Sequence, residues 1–162
     1  MDAEQFERRC SAGRQALTSG TPAEAMEHLG HAMALWRGSA MVDVVDAPAI
    51  AAEQIRLNER RLTATELWLR AGLACGRHDV LIPELESLVT AHPLREHFRE
   101  LLMTALYESG RRADALSVYR NLRRTLREEL GIDPGAGIQR LERTILQGGE
   151  VNMPLLPVPV DR

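Results

Sequence analysis

Lysine is absent: each of the 20 basic side chains in the 162 residues is an arginine. Arginine codons are mostly GC-rich, so the bias points to a GC-rich bacterial genome. The absence also excludes the phosphate loop GxxxxGK[ST], whose lysine must reach the terminal phosphates. Aromatic residues make up only 4% of the chain. A sheet favours β-branched and aromatic side chains, whereas the abundant Ala, Leu, Arg and Glu suit stacked helices. The two cysteines, Cys10 and Cys75, lie far apart and outside any CxxC spacing. They read as reduced, partly buried thiols in a cytoplasmic protein. No apolar run approaches the roughly 18 residues that span a bilayer, and the N-terminus carries acids rather than a signal peptide, so no membrane partner is expected. The net charge of −3 argues against wholesale nucleic-acid binding by this chain.

What is present is helical period. One pattern runs from about Asp2 to Ser19 with Phe6, Ala12, Gly13, Ala16 and Leu17 on one side, and Gly20 stops it. Thr21 then caps a second helix with Pro22 at its first position. That helix reaches Trp36 and ends at Gly38, before the irregular stretch "SAMVDVVDAP". From Ala49 to about Cys75 lies a long pattern with Ile55, Leu62 and Leu69 seven residues apart, closed by Gly76. Helices follow over Val80–Ala91, Leu94–Ser109, Arg112–Leu130 and Pro134–Gln147. The one from Arg112 is expected to bury Ala115, Tyr119, Leu122, Leu126 and Leu130. This length suits one well-buried core over residues 1–148. The remainder, "GGEVNMPLLPVPVDR" without its first glycine, has three prolines and no period, and reads as a linker or tail over 149–162.

The helices repeat. Gly76 and Gly110 are 34 residues apart, the period of tetratricopeptide helix–turn–helix units. Alignment on these glycines brings Leu81 onto Ala115, Leu85 onto Tyr119 and Leu88 onto Leu122. From Gly20, the same places hold Ala25, Leu29 and Ala32. The expected fold is all-α, a tetratricopeptide-like array of about three helix–turn–helix units with a C-terminal capping helix. The small residue expected inside each first helix is present at Gly13 but replaced at Leu69 and Met103, so a generic helical bundle is the alternative.

The stretch "ELGIDPGAGIQRLE", Glu129–Glu142, could be a glycine-rich phosphate cradle or the punctuation between two helices. No strand precedes it, and a dinucleotide fingerprint needs one. Punctuation accounts for more of it. Gly131 takes a left-handed turn with Ile132 folding back, Asp133 caps the next helix, and Pro134 opens it. Gly135 and Gly137 have no evident local role. His28 and His31 share a helix face but lack further metal ligands, and exposed histidines on a polar face describe them better. His92 and His97 flank a helix start. No nucleophile motif or carboxylate pair is found, so neither an enzyme nor a cofactor or metal site is expected.

Two surfaces could meet a partner. Arg120, Arg123, Arg124 and Arg127 line one face of a helix, where guanidinium groups suit phosphates or acidic side chains. A solvated face relieved by Glu128 is the other reading, and the commoner one for such rows. Glu100, Thr104, Tyr107 and Glu108 fall on the first-helix face of the third repeat, which in repeat arrays is concave and binds peptides.

Three strings carry a resemblance: "ALWRGSAMVDV" at Ala34–Val44, "AHPLREHFRELLMTALYESGRRADALSVYRNLRRTLREELGIDPG" at Ala91–Gly135, and "LERTIL" at Leu141–Leu146. The chain resembles the bacterial transcriptional activator domain, the tetratricopeptide-like module of the Streptomyces antibiotic regulatory protein (SARP) family and its actinobacterial relatives, from Phe6 to about Gln147. The resemblance implies a transcription regulator whose module supports dimerisation and protein contacts. Its partners would be the regulator's own winged-helix DNA reader, RNA polymerase and a second copy. Some members continue into a nucleotide-binding or phosphopeptide-binding domain. No DNA-reading domain is present in this sequence, so promoter binding is assigned to no residue. The alternative function is a stand-alone repeat scaffold that binds a partner peptide, unconnected with transcription.

Overall fold

The computed structural model describes residues 3–37 and 48–156. Among the described residues all regular structure is helical. The order is α1 (Ala3–Thr18), α2 (Pro22–Arg37), α3 (Pro48–Ala74), α4 (His78–Ala91), α5 (Glu96–Glu108), α6 (Arg112–Leu130) and α7 (Ala136–Gln147). The stop at Gly38 and the irregular stretch before Pro48 lie outside the described residues. Length suggested one core; the helices instead cluster as two compact units, 1–75 with 155–162, and 76–154.

In the first unit, α2 packs against both α1 and α3. Its turn is built by Gly20, whose φ of +75° suits a residue without Cβ. The Thr21 N–H donates to the Ala16 carbonyl at 2.9 Å, closing α1 with the bond that marks a Schellman ending. Ala25 N–H then donates to the Thr21 carbonyl, the first bond of α2. The Thr21 hydroxyl lies 3.1 Å from Glu24 Oε2, a contact between the cap residue and the third residue of the helix. The core joins Phe6, Cys10, Ala16 and Leu17 of α1, Ala25, Leu29 and Ala32 of α2, and Ala64, Leu67 and Ala71 of α3. Gly13 lets α1 and α2 approach: a Cβ there would lie 2.5 Å from Leu29 Cγ. Trp36 sits against Phe6, with ring centroids 5.8 Å apart, and the Arg61 guanidinium lies over the Trp36 ring, 5.9 Å from its centroid. Cys10 is buried and Cys75 exposed, so the two thiols differ where the sequence suggested a like pair. Burial raises the Cys10 pKa to about 11, with the Glu7 charge adding to it and Arg14 opposing.

Leu155 and Leu156 of the tail pack, partly buried, on this same core. The stretch read as a linker therefore contributes to the first unit; residues from 157 onward lie outside the described part.

In the second unit, α5 packs against α4, α6 and α7, and α7 also meets α6. That central position explains why α5 buries Phe98, Arg99 and the run Leu101–Leu106. The α5–α6 turn repeats the earlier solution, with Gly110 at φ +78° and Arg111 N–H donating to Leu106 O at 2.8 Å. Gly76, the third aligned glycine, has φ +75°.

Three expectations fail locally. Ile55, first of the three apolar positions spaced by seven, is 65% exposed, as no side chain from residue 51 to residue 61 of α3 is buried. Leu130 is 54% exposed, since the last turn of α6 extends past the positions that pack. Helix α7 begins two residues later than Pro134, with Gly135 at its N-cap in an extended conformation.

Candidate partner-binding surface

Helix α6 is strongly two-faced. Ala115, Tyr119, Leu122 and Leu126 are buried, and the 3.6-residue period turns Arg120, Arg123, Arg124 and Arg127 to the opposite, exposed side. With Glu128 they line a shallow, open depression of about 400 Å³. The four guanidinium groups are not equivalent. Arg127 donates through Nε and Nη2 to Asp133 Oδ1, both at 3.0 Å, and Arg123 Nε stands 3.8 Å from the same oxygen. Arg120 donates to the Ser117 hydroxyl at 2.8 Å and Arg124 to Asn121 Oδ1 at 3.1 Å. Two arginines thus face a carboxylate, and two are held only through neutral neighbours, which leaves their charge available to an anion. The sequence offered Glu128 as the relieving acid; Asp133, from the loop after α6, is the one in contact.

Tyr119 lies beneath this face. Burial raises its phenol pKa, with Glu142 and Asp133 adding and Arg123 and Arg143 opposing, so it stays a neutral phenol at physiological pH.

The second surface is largely spent within the fold. Thr104 is buried and its hydroxyl donates to the Glu100 carbonyl one turn earlier at 3.0 Å. Tyr107 donates from its hydroxyl to the Gly149 carbonyl at 2.9 Å, which pins the end of α7. Glu100 is half-buried, with an oxygen 3.9 Å from His97 Nδ1, and Glu108 is exposed. Of the four, Glu108 is the one freely presented.

The string from His92 to Gly135 proves to be a joint. Arg99 is buried, with Nη1 donating to the Pro93 carbonyl, and so holds the loop between α4 and α5. Burial lowers its pKa from the usual arginine value, against the favourable charge of Glu96. Glu96 Oε2 accepts the Gly135 N–H at 2.8 Å, across 39 residues of sequence. A Cβ at Gly135 would lie 3.3 Å from that oxygen, tight enough to make the carboxylate give way. This is the role that local reading could not find. Asp133 serves the arginines rather than capping α7. Gly131 does end α6 as expected, at φ +68°, although Ile132 is half exposed. Nothing in the structure requires glycine at 137.

His28 is half-buried with Nδ1 lacking a partner, and His31 is exposed. Among the described residues no group of three His, Cys, Asp or Glu side chains could hold a metal ion, and no helix is long and apolar enough to cross a membrane.

The model of the bacterial transcriptional activator domain matches residues 1–146. Regulatory protein AfsR of Streptomyces coelicolor is 44% identical over 85% of this chain, which corresponds to 14% of AfsR. Regulatory protein DnrI of Streptomyces peucetius is 39% identical over 96% of the chain and 58% of DnrI. Among solved structures, Mycobacterium tuberculosis EmbR in complex with a low-affinity phosphopeptide superposes with a TM-score of 0.87 at 36% identity, over 91% of this chain and 39% of EmbR. The chain spans less than two thirds of the length of each of these three. It belongs to the bacterial transcriptional activator domain family, and its relatives are transcriptional regulators of the SARP type.

Proposed function

We propose that this chain is the protein-interaction and dimerisation module of a SARP-type transcriptional activator, with no catalysis and no base reading of its own. The arginine face of α6 is the observation that supports it best. Arg120 and Arg124 are exposed and bond neutral neighbours, so their planar guanidinium groups remain available to acidic side chains of a partner. Family membership favours this reading over a scaffold unconnected with transcription. The complex of EmbR with a phosphopeptide shows a relative engaging a peptide, and it supports protein contact as the role without locating it. In this reading residues 1–148 form the module, and the chain from 149 is a tail whose Leu155 and Leu156 return to the core of the first unit. DNA is reached through a winged-helix domain, RNA polymerase and a second copy are the protein partners, and the site of action is the cytoplasm.

Three measurements test the role. A gel shift with promoter DNA should show no sequence-specific, salt-resistant complex with this chain alone, because few phosphate contacts are offered by a chain of net charge −3. Such a complex would overturn the reading. Sedimentation equilibrium should reveal a dimer. The double charge reversal Arg120→Glu, Arg124→Glu should leave helicity intact and weaken capture of RNA polymerase by about tenfold, the scale of one or two charge-assisted contacts. Unchanged capture would remove the arginine face from the proposal.

A further inference from the structure

The tail holds a leucine pair, Leu155–Leu156, between Pro154 and Pro157. Helix α7 closes at Gly148, in a left-handed turn, and residues 149–154 are neither helix nor strand. The two leucines then settle on the core of the first unit, whose margin also holds Met26, Leu35, Trp36 and Trp68. Three of these four marginal side chains, the two indoles and the thioether, are the kinds that recur on surfaces receiving varied apolar peptides. Pro154 fixes its own φ and withholds a backbone donor, which limits the freedom lost when the pair docks, and Leu155 and Leu156 themselves form a bend. Among the described residues of the tail, Leu155 and Leu156 are the side chains that make the attachment, and each is partly exposed. An anchor of this size exchanges on and off the surface, unlike the fully buried leucines of α1 and α2.

We infer that the indole-bearing apolar margin of the α1–α3 unit is a peptide-docking site, and that the tail around Leu155–Leu156 is its exchangeable occupant. The tail is a strap. It ties the C-terminal segment to the core that includes Phe6 and Cys10 of the first helix, and a free peptide of the same proline-flanked leucine sequence competes for the place.

The test uses the full chain with Leu155→Ser and Leu156→Ser together. Trp36 and Trp68 are the only tryptophans, so indole emission reports on this unit alone. The variant should keep its far-ultraviolet helical signal while its emission shifts to the red. A fluorescein-labelled peptide of residues 150–162 should bind the variant about tenfold more tightly than the unaltered chain, where the tethered tail holds the site at high effective concentration. Saturating peptide should return the emission toward its original position. Leu155→Met with Leu156→Met should behave as the unaltered chain. Equal emission with no peptide binding would overturn the inference, as would equal binding to both chains. Loss of helicity in the serine variant would also overturn it, since a strap that the fold cannot release is simply core.

Discussion

Two helical hairpins drawn on one pattern are closed by different forces. In α1–α2 the helices touch through an absence: Gly13 leaves room for Leu29, and apolar contact does the rest. In α5–α6 the matching position is Met103, fully buried, and the surrounding unit is fastened by polar side chains that reach backbone atoms. Glu96 holds Gly135, Tyr107 holds Gly149, Arg112 holds Leu146, and Arg99 holds Pro93. The difference follows from architecture. Helix α5 has neighbours on several sides and must organise two loops, which shape complementarity alone orients poorly. Helix α1 meets chiefly one partner, for which a close approach suffices.

The comparison breaks first at Met103. Met103→Ala removes a fully buried side chain and should cost about 2–5 kcal/mol, as cavity-forming changes do. Gly13→Ala should cost about 1–3 kcal/mol by overpacking against the buried Leu29, despite the better helix propensity of alanine. Hydrogen exchange separates the two effects. The first change should lower protection mainly over α4–α7 and the second mainly over α1–α3. Equal loss everywhere in both variants would mean that the two units unfold as one, and the contrast would lose its energetic content.

Alkaline pH sharpens the contrast from the side of the first unit. The Cys10 thiol keeps its proton to about 11 in the fold, against an ordinary value near 9.0. Between those values the unfolded chain loses the proton while the folded chain retains it, so stability falls as pH rises through that window. The loss should be at most about 3 kcal/mol from this group, and Cys10→Ala should remove its share of the slope in urea unfolding followed by indole emission. Cys75, which is exposed, should react with iodoacetamide at neutral pH while Cys10 does not.

Much of the fold was legible because turns and faces are local. The glycines at 20, 76 and 110 share one positive φ, as their common place in the helix–turn–helix template implied. The arginine row of α6 is exposed because the apolar stripe behind it is read at the same period. Legibility ended where a side chain answers to a residue distant in sequence. Period places Thr104 on a face but does not say that the face is covered. It places Ile55 in a stripe of seven and does not say that the first turns of α3 lack an apolar cover. Gly135 was opaque for the same reason, since Glu96 stands 39 residues away. The longest of the three strings that carry the family resemblance, Ala91–Gly135, contains both partners of this joint.

The two smallest effects decide what fastens α7. Glu96→Ala deletes the acceptor for the Gly135 N–H and should cost about 1 kcal/mol, the usual net worth of one such bond, with faster exchange over the start of α7. Glu96→Gln retains an acceptor oxygen and should restore most of it. Asp133→Asn removes the charge that draws Arg127 and Arg123, but all three side chains are half exposed, and exposed pairs contribute less than about 1 kcal/mol. Its effect should vanish in about 1 M salt, where screening reaches only a few ångströms, whereas the Glu96→Ala effect should largely persist. If Asp133→Asn proved the costlier change and remained so in salt, the α6–α7 loop would be held by its ion pair. The arginines would then be structural, and the polar fastening of the second unit would rest on the same side chains that are offered to a partner.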